Sequence, residues 1–143
     1  MHDSVRNLIE IQKEIQSKIN NSIKFPKIIA VSKTHQMTNI LPLINFGHLD
    51  FGENKVQEAI IKWQNIKSDF EHLKLHMLGG LQTNKVKYAV SIFDYIHSLD
   101  SLKLAEKISN EQIKQNRKVK IFIQINLGEE NQKSGVSISN AVD

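Results

Sequence analysis

Lys33 closes the run Ile28-Ile29-Ala30-Val31-Ser32-Lys33, in which four successive apolar residues lead to an amine. Such a run predicts a parallel strand buried on both faces. A lysine at its last position would stand where the strand opens into a cleft. Burial disfavours the ammonium, and the neutral amine is the form that attacks an aldehyde to give a Schiff base. A lysine that merely ends a strand and reaches water fits the same pattern, and water is the usual place for this residue. The residues around Lys33 leave both readings open.

Other chemistry-bearing groups fall at similar places. Polar residues end each strand-like run: Lys33, Asn54, His76, Ser98 and Asn126, separated by 21, 22, 22 and 28 residues. Near-constant spacing of one strand plus one helix is the mark of a parallel α/β sheet. In such sheets, polar groups at the C-terminal strand ends line the ligand face. Gly79-Gly80 follows one of these strands, either as a tight turn or as a close approach of backbone to a ligand. The histidines do not form the His-Glu-x-x-His pattern, so no metal site is expected. Asp50, Glu53 and Glu58 are not spaced as a catalytic carboxylate pair, and there is no glycine-rich nucleotide loop.

The elements that must position these groups can be read from periodicity. Leu8, Ile11, Ile15 and Ile19 predict an amphipathic helix over 4–20. Thr38 is expected as the N-cap of a short helix, with Pro42 within about its first turn and Gly47 stopping it. Strands are expected at 28–33, 48–51, 73–78, 94–98 and 119–126. Helices are expected around Val56, Ala59, Ile60 and Trp63, over 84–90, and after an Asp100 cap. On the first strand Ile29, Val31 and Lys33 share a face; on the last, Phe122, Gln124 and Asn126 do. These faces should look into a barrel, and the face of Ile121, Ile123 and Ile125 should pack on helices.

Composition narrows the function classes. The chain has 143 residues, 40% hydrophobic and 24% charged, a size suited to one domain. The net charge of +4 is carried by lysines scattered along the chain, with Arg6 and Arg117 the only arginines. No basic run or nucleic-acid motif accompanies it, so no specific nucleic-acid partner is expected. The absence of cysteine excludes disulfides and thiolate chemistry. With no signal peptide and no long apolar span, the expected setting is cytoplasmic and away from membrane.

Five segments, in order, resemble the pyridoxal phosphate homeostasis proteins of the YggS and PROSC type. They are Ala30-Val31-Ser32-Lys33-Thr34, the stretch Phe51-Gly52-Glu53-Asn54-Lys55-Val56-Gln57-Glu58, and His76 through Lys85. Ile96-His97-Ser98-Leu99-Asp100 follows, then Gln124-Ile125-Asn126 with Lys133-Ser134-Gly135. The resemblance implies an α/β chain forming part of a (β/α)8 TIM-type barrel of the alanine racemase N-terminal domain type, with about five βα units. It implies pyridoxal 5′-phosphate held as a Schiff base on Lys33, with Asn54 and His76 near the cofactor ring. It also implies a phosphate grip in a portion of the barrel absent from this sequence. Gly80 stands where a bulkier residue is common, which would loosen its loop.

A whole eight-unit barrel takes about 250 residues. The expectation is therefore one incomplete pyridoxal-phosphate-binding barrel domain over 1–143, cut short at its C-terminus within the start of a helix after Ser137 or Ser139. A truncated, split or decayed reading frame, or a piece cut from a longer protein, would each give this. The implied function is non-catalytic binding of the cofactor in homeostasis, with recipient apo-enzymes and a companion chain supplying the missing barrel half as partners. Two alternatives stand beside it. One is a racemase-like enzyme, which needs an acid–base group opposite the lysine; Tyr88 lies on a helix and Tyr95 at the start of a strand. The other is a fragment with no function of its own, its strand edges unpaired.

Overall fold

The computed structural model describes every residue of the chain except Glu129, Gln132 and Asp143. Five strands form a single parallel sheet in the order β1-β2-β3-β4-β5. They are β1 (Ala30–Val31), β2 (Asp50–Glu53), β3 (Lys74–Met77), β4 (Tyr95–Leu99) and β5 (Lys120–Ile123). Between them run α2 (Met37–Phe46), α3 (Val56–Trp63), α4 (Ile66–Asp69), α5 (Val86–Ile92) and α6 (Leu102–Gln115), with α1 (Asp3–Lys18) leading. A 3-10 turn, Thr83–Lys85, precedes α5. Neighbouring strands are consecutive in sequence, so each helix is a simple crossover between adjacent parallel strands.

Strand alternation sorts the sheet into two faces. Phe51, Leu75, Met77 and Ile96 point to the helices and join Val56, Ala59, Trp63, Val86, Ala89, Val90 and Leu104 in one core. The opposite face, carrying Val31, Gly52, His76, His97 and Phe122, bears no covering layer among the described residues. Val31 is 48% exposed and Phe122 51%. On the last strand the expected division of faces holds only in part. Ile121 packs against the core while Phe122 turns away, but Ile123 and Ile125, also expected to pack on helices, are exposed, because no helix follows this edge strand among the described residues. β1 and β5 are the two edges.

Several expected boundaries shift. The first strand is only Ala30–Val31, and its residues are not buried on both faces, because β1 is an edge strand. The N-cap of α2 is Gln36 rather than Thr38, and Pro42 is the helix's sixth residue, beyond its first turn. Gly47 stops the helix as expected, at φ 102°. The second strand begins two residues later than expected, because Lys74 N–H pairs with Leu49 O ahead of the ladder and Asp50 opens the register with Lys74. Ser101, not Asp100, caps α6: its Oγ accepts from Leu104 N–H at 3.2 Å. After β5, Ile125 forms a parallel bridge with Val136, which brings Lys133-Ser134-Gly135 back to the end of β5. Residues 138–141 form turns rather than a helix.

Candidate ligand site at the strand ends

Lys33 and Asn54 leave adjacent strands at the same level, each two residues beyond the register pair Val31–Gly52. Lys33 lies in a turn and is exposed rather than buried; Asn54 is half-buried. None of the ion pairs among the described residues involves Lys33. The rim is drawn tight at the next strand. Leu78 N–H donates to Glu53 O at 2.9 Å. A Cβ on Gly79 would overlap the carbonyl oxygen of Asn54. The first of the two glycines thus serves a close backbone approach to the neighbouring strand. A Cβ on Gly80 would meet nothing within 4 Å, so the loop has room for a larger residue there.

The turn that carries Lys33 is held from behind. Ser32 N–H donates to Gly52 O at 2.9 Å, extending the ladder past β1. Ser32 Oγ donates to Glu53 Oε1 at 2.8 Å. That carboxylate is fully buried, and it also accepts from Trp63 Nε1 at 2.8 Å and Lys62 Nζ at 2.8 Å. Its other oxygen, Oε2, has no partner. Lys62 Nζ further donates to Ser32 O at 2.6 Å and to Glu58 Oε1 at 3.1 Å. Glu58 Oε1 accepts from Thr34 N–H at 2.5 Å. That backbone hydrogen bond, followed by the one from Lys62, lowers the pKa of the Glu58 carboxyl. The motif Glu53-Asn54-x-x-x-Glu58-x-x-x-Lys62 was visible in the sequence, but nothing local says that its charges converge on the Lys33 turn, a strand away.

His76 is placed differently from the strand end expected for it. It is the third residue of β3, 2% exposed, and its ring leans toward the strand starts. Nε2 bonds Asp50 Oδ1 at 2.9 Å, and Nδ1 bonds His97 Nε2 at 2.9 Å. Asp50 and Tyr95, the first residues of β2 and β4, flank it; the Tyr95 ring stacks on it at 4.3 Å. The carboxylate accepts from Nε2–H, which leaves Nδ1 to accept from His97 Nε2–H. Burial lowers the pKa of His76 despite the opposing pull of Asp50. Burial, then the charge of His76, lowers that of His97. His97 stacks on Phe122 at 4.6 Å, continuing an aromatic floor across the bare face. The structure thus brings Lys33 and Asn54 together at the rim and sets His76 a layer beneath. Sequence reasoning missed the Asp50–His76–His97 line; its only sequence signal is three polar residues on inward-facing strand positions.

Cavities lie elsewhere among the described residues, two of them near the site or on the helical side. One of about 410 Å³ sits beside β1, between the starts of α1 and α2, lined by residues that include Ser32, His35 and Asn39. A larger one of about 820 Å³ lies on the helical side, around Lys67, Tyr88 and Arg117. No group of three or more acidic or histidine side chains among the described residues is arranged to hold a metal ion. No described helix is long and apolar enough to cross a membrane.

Comparison with known proteins gives this geometry a lineage. The profile of the family described as alanine racemase, N-terminal domain, matches residues 7–143. The pyridoxal phosphate homeostasis protein of Pasteurella multocida is 34% identical over 142 residues, covering 96% of this chain and 60% of that protein. Its counterpart in Escherichia coli K12 is 31% identical over 143 residues, covering 97% and 61%. The structure of PipY from Synechococcus elongatus with PLP bound superposes with a TM-score of 0.74 at 38% identity, covering 90% of this chain and 57% of PipY. PipY without PLP gives a TM-score of 0.78 at 37% identity, covering 92% and 59%. An alanine racemase of Clostridium difficile, at 17% identity and a TM-score of 0.68, shares the fold. The chain spans about 60% of the length of the curated relatives it matches. It belongs to the alanine racemase N-terminal domain family and, within that family, is similar to the N-terminal part of the pyridoxal phosphate homeostasis proteins.

Proposed function

We propose that this chain carries the lysine half of a pyridoxal 5′-phosphate binding site, in a protein that holds and releases the cofactor rather than turning over substrate. The observation that carries the reading is the place of Lys33: an amine with no ion pair among the described residues, at the C-terminal end of a parallel strand, on a braced turn. The donor set fits the group. A primary amine suits an aldehyde, and the amide of Asn54 at the same level can hydrogen-bond a ring substituent. His76 would serve from beneath, since both its nitrogens are engaged with Asp50 and His97. When bound, pyridoxal phosphate supplies an aldehyde to which an amine adds reversibly. The phosphate would be gripped by strands beyond β5, as such barrels commonly grip phosphates after their seventh and eighth strands.

Two features favour binding over catalysis. Tyr95 lies at the start of β4, its hydroxyl 3.5 Å from Lys120 Nζ, and Tyr88 lies on α5 among outer-face residues. Neither stands at the rim as the acid–base partner that a racemase needs across from its lysine. Recipient apo-enzymes would then be the partners in cofactor delivery. A further polypeptide segment, continuous with this one or separate, would close the sheet. The bare edges at β1 and β5 and the exposed Val31 and Phe122 support that. Left uncovered, the same face would give a fragment with no function of its own.

The test is reductive trapping. Incubation with pyridoxal phosphate, borohydride reduction and peptide mapping should place the label on Lys33 and lose it in Lys33→Ala. Label spread evenly over the lysines, or centred on another, refutes the reading. Deuterium uptake from solvent into alanine, above that of free cofactor and abolished by Lys33→Ala, would instead favour the racemase-like enzyme.

A further inference from the structure

We propose that Glu53, Glu58 and Lys62 form a clamp that sets how Lys33 is presented, with Lys62 as its central positioning residue; this rests on the reading of Lys33 as the attachment point. The ammonium of Lys62 has three N–H donors. Each meets a different acceptor: Ser32 O at 2.6 Å, Glu53 Oε1 at 2.8 Å and Glu58 Oε1 at 3.1 Å. The two carboxylates then reach on to the residues that bracket Lys33. Glu53 Oε1 takes Ser32 Oγ at 2.8 Å, and Glu58 Oε1 takes Thr34 N–H at 2.5 Å. Both neighbours of Lys33 are thus tied to one charged cluster on β2 and α3, while Lys33 itself is left out of it.

The clamp has something to hold. Thr34 sits at φ 64°, in the left-handed region, where a β-branched residue is an outlier. Such conformations persist only when the surroundings over-determine them. Here three contacts do so: the Glu58 carboxylate on its N–H, Lys62 on Ser32 O, and the turn bond from His35 N–H to Ser32 O at 3.1 Å. The cluster is well enough shielded to matter, with the Glu53 side chain 0% and the Lys62 side chain 11% exposed. Charge-assisted hydrogen bonds in such surroundings are the strong ones. By fixing the backbone on either side of Lys33, the cluster fixes the direction in which the amine leaves the strand, without engaging its nitrogen. Pre-set orientation of a reacting group is what converts a general lysine reactivity into a site-specific one.

The experiment compares the wild-type chain with Glu58→Ala, Glu58→Gln and Lys62→Met, with circular dichroism as the check on folding. Two readouts are taken: amide hydrogen exchange at Thr34, and the share of borohydride-trapped pyridoxal phosphate found on Lys33 relative to the other lysines. In Glu58→Ala, Thr34 exchange should rise about tenfold or more, and the Lys33 share should fall several-fold. Glu58→Gln keeps an acceptor for Thr34 but loses the charge facing Lys62. It should retain most of the exchange protection yet lose part of the Lys33 share, and it stands in should Glu58→Ala or Lys62→Met fail to fold. Adding Thr34→Gly to Glu58→Ala removes the conformational demand and should restore part of the share, which general destabilisation would not. Folded Glu58→Ala with unchanged Thr34 exchange and an unchanged Lys33 share overturns the clamp. A wild-type chain with no preference for Lys33 overturns the attachment reading instead, and Thr34 exchange then decides the clamp alone.

Discussion

Gly79 and Gly80 are neighbours, yet adding one methyl to each should have opposite consequences. A Cβ on Gly79 would overlap Asn54 O and lie 2.9 Å from its carbonyl carbon and 3.0 Å from its Cα. Carbon atoms at rest sit about 3.5–4.0 Å apart, so the two backbones must part by roughly 1 Å. The atoms in the way are main chain, which cannot rotate aside. Overpacking of this kind costs about 1–3 kcal/mol. The parting also strains the adjacent bond from Leu78 N–H to Glu53 O, 2.9 Å long, worth about 0.5–1.5 kcal/mol. Gly79→Ala should therefore destabilise by about 2–4 kcal/mol. At Gly80 the new methyl meets nothing within 4 Å and the backbone needs no left-handed conformation. Gly80→Ala should be neutral, or stabilising by about 0.4–1 kcal/mol through the unfolded chain. Urea titration is the assay, followed by the fluorescence of Trp63, the sole tryptophan and a fully buried one. With a slope of about 2 kcal/mol per molar, the middle of the usual range, the Gly79→Ala midpoint should fall by about 1–2 M while that of Gly80→Ala stays put. Equal midpoints for the two variants would refute the assignment of Gly79 to close strand approach.

Stability should also fall as the pH drops from 7.5 to 5.5. His76 and His97 have folded pKa values below the ordinary value of 6.5, burial being the first cause for each. A depressed pKa means that the unfolded chain takes up protons first, so stability is full above 6.5 and is lost as the pH falls through it toward the folded values. Asp50 and Asp94 face His76 and oppose the shift, while Lys27 adds to it. The urea midpoint across that window should decline in the wild type and less steeply in His97→Gln; a flat wild-type profile would rule this out. Asp94 accepts from Lys67 Nζ at 2.7 Å and from Leu75 N–H at 2.8 Å, joining α4 to the starts of β3 and β4. Asp94→Ala should cost about 2–4 kcal/mol by stranding a half-buried ammonium and a backbone donor. Because burial lowers the pKa of Lys67 and Asp94 is what raises it, part of the loss should return as the pH is raised from 7 toward 10. A variant within 0.5 kcal/mol of the wild type in a urea titration at pH 7 would contradict the network.

What could be read in the sequence was what strand and helix periodicity dictate within one element. The alternation of Phe122 against Ile121 and the spacing of Lys33, Asn54, His76, Ser98 and Asn126 are local, and they yielded a parallel sheet. Gly47 announced its left-handed stop because only the backbone at that residue matters. Boundaries slipped where a partner decides them: β1 shrank to two residues because it is an edge with one neighbouring strand. The environment of each polar group was settled by contacts across the sheet. Whether Lys33 is desolvated was left open by its own run; among the described residues no strand pairs beyond β1, and it stands exposed. His76 and Asp50 are 26 residues apart and His76 and His97 are 21, yet parallel register and inward parity join all three. The same holds for Glu53, Glu58 and Lys62, whose spacing reads as an ordinary charged helix face. Only the packing of α3 against β2, with Ala59 and Trp63 buried in the core, turns that face toward Ser32 and Thr34 and lets Lys62 reach the strand end.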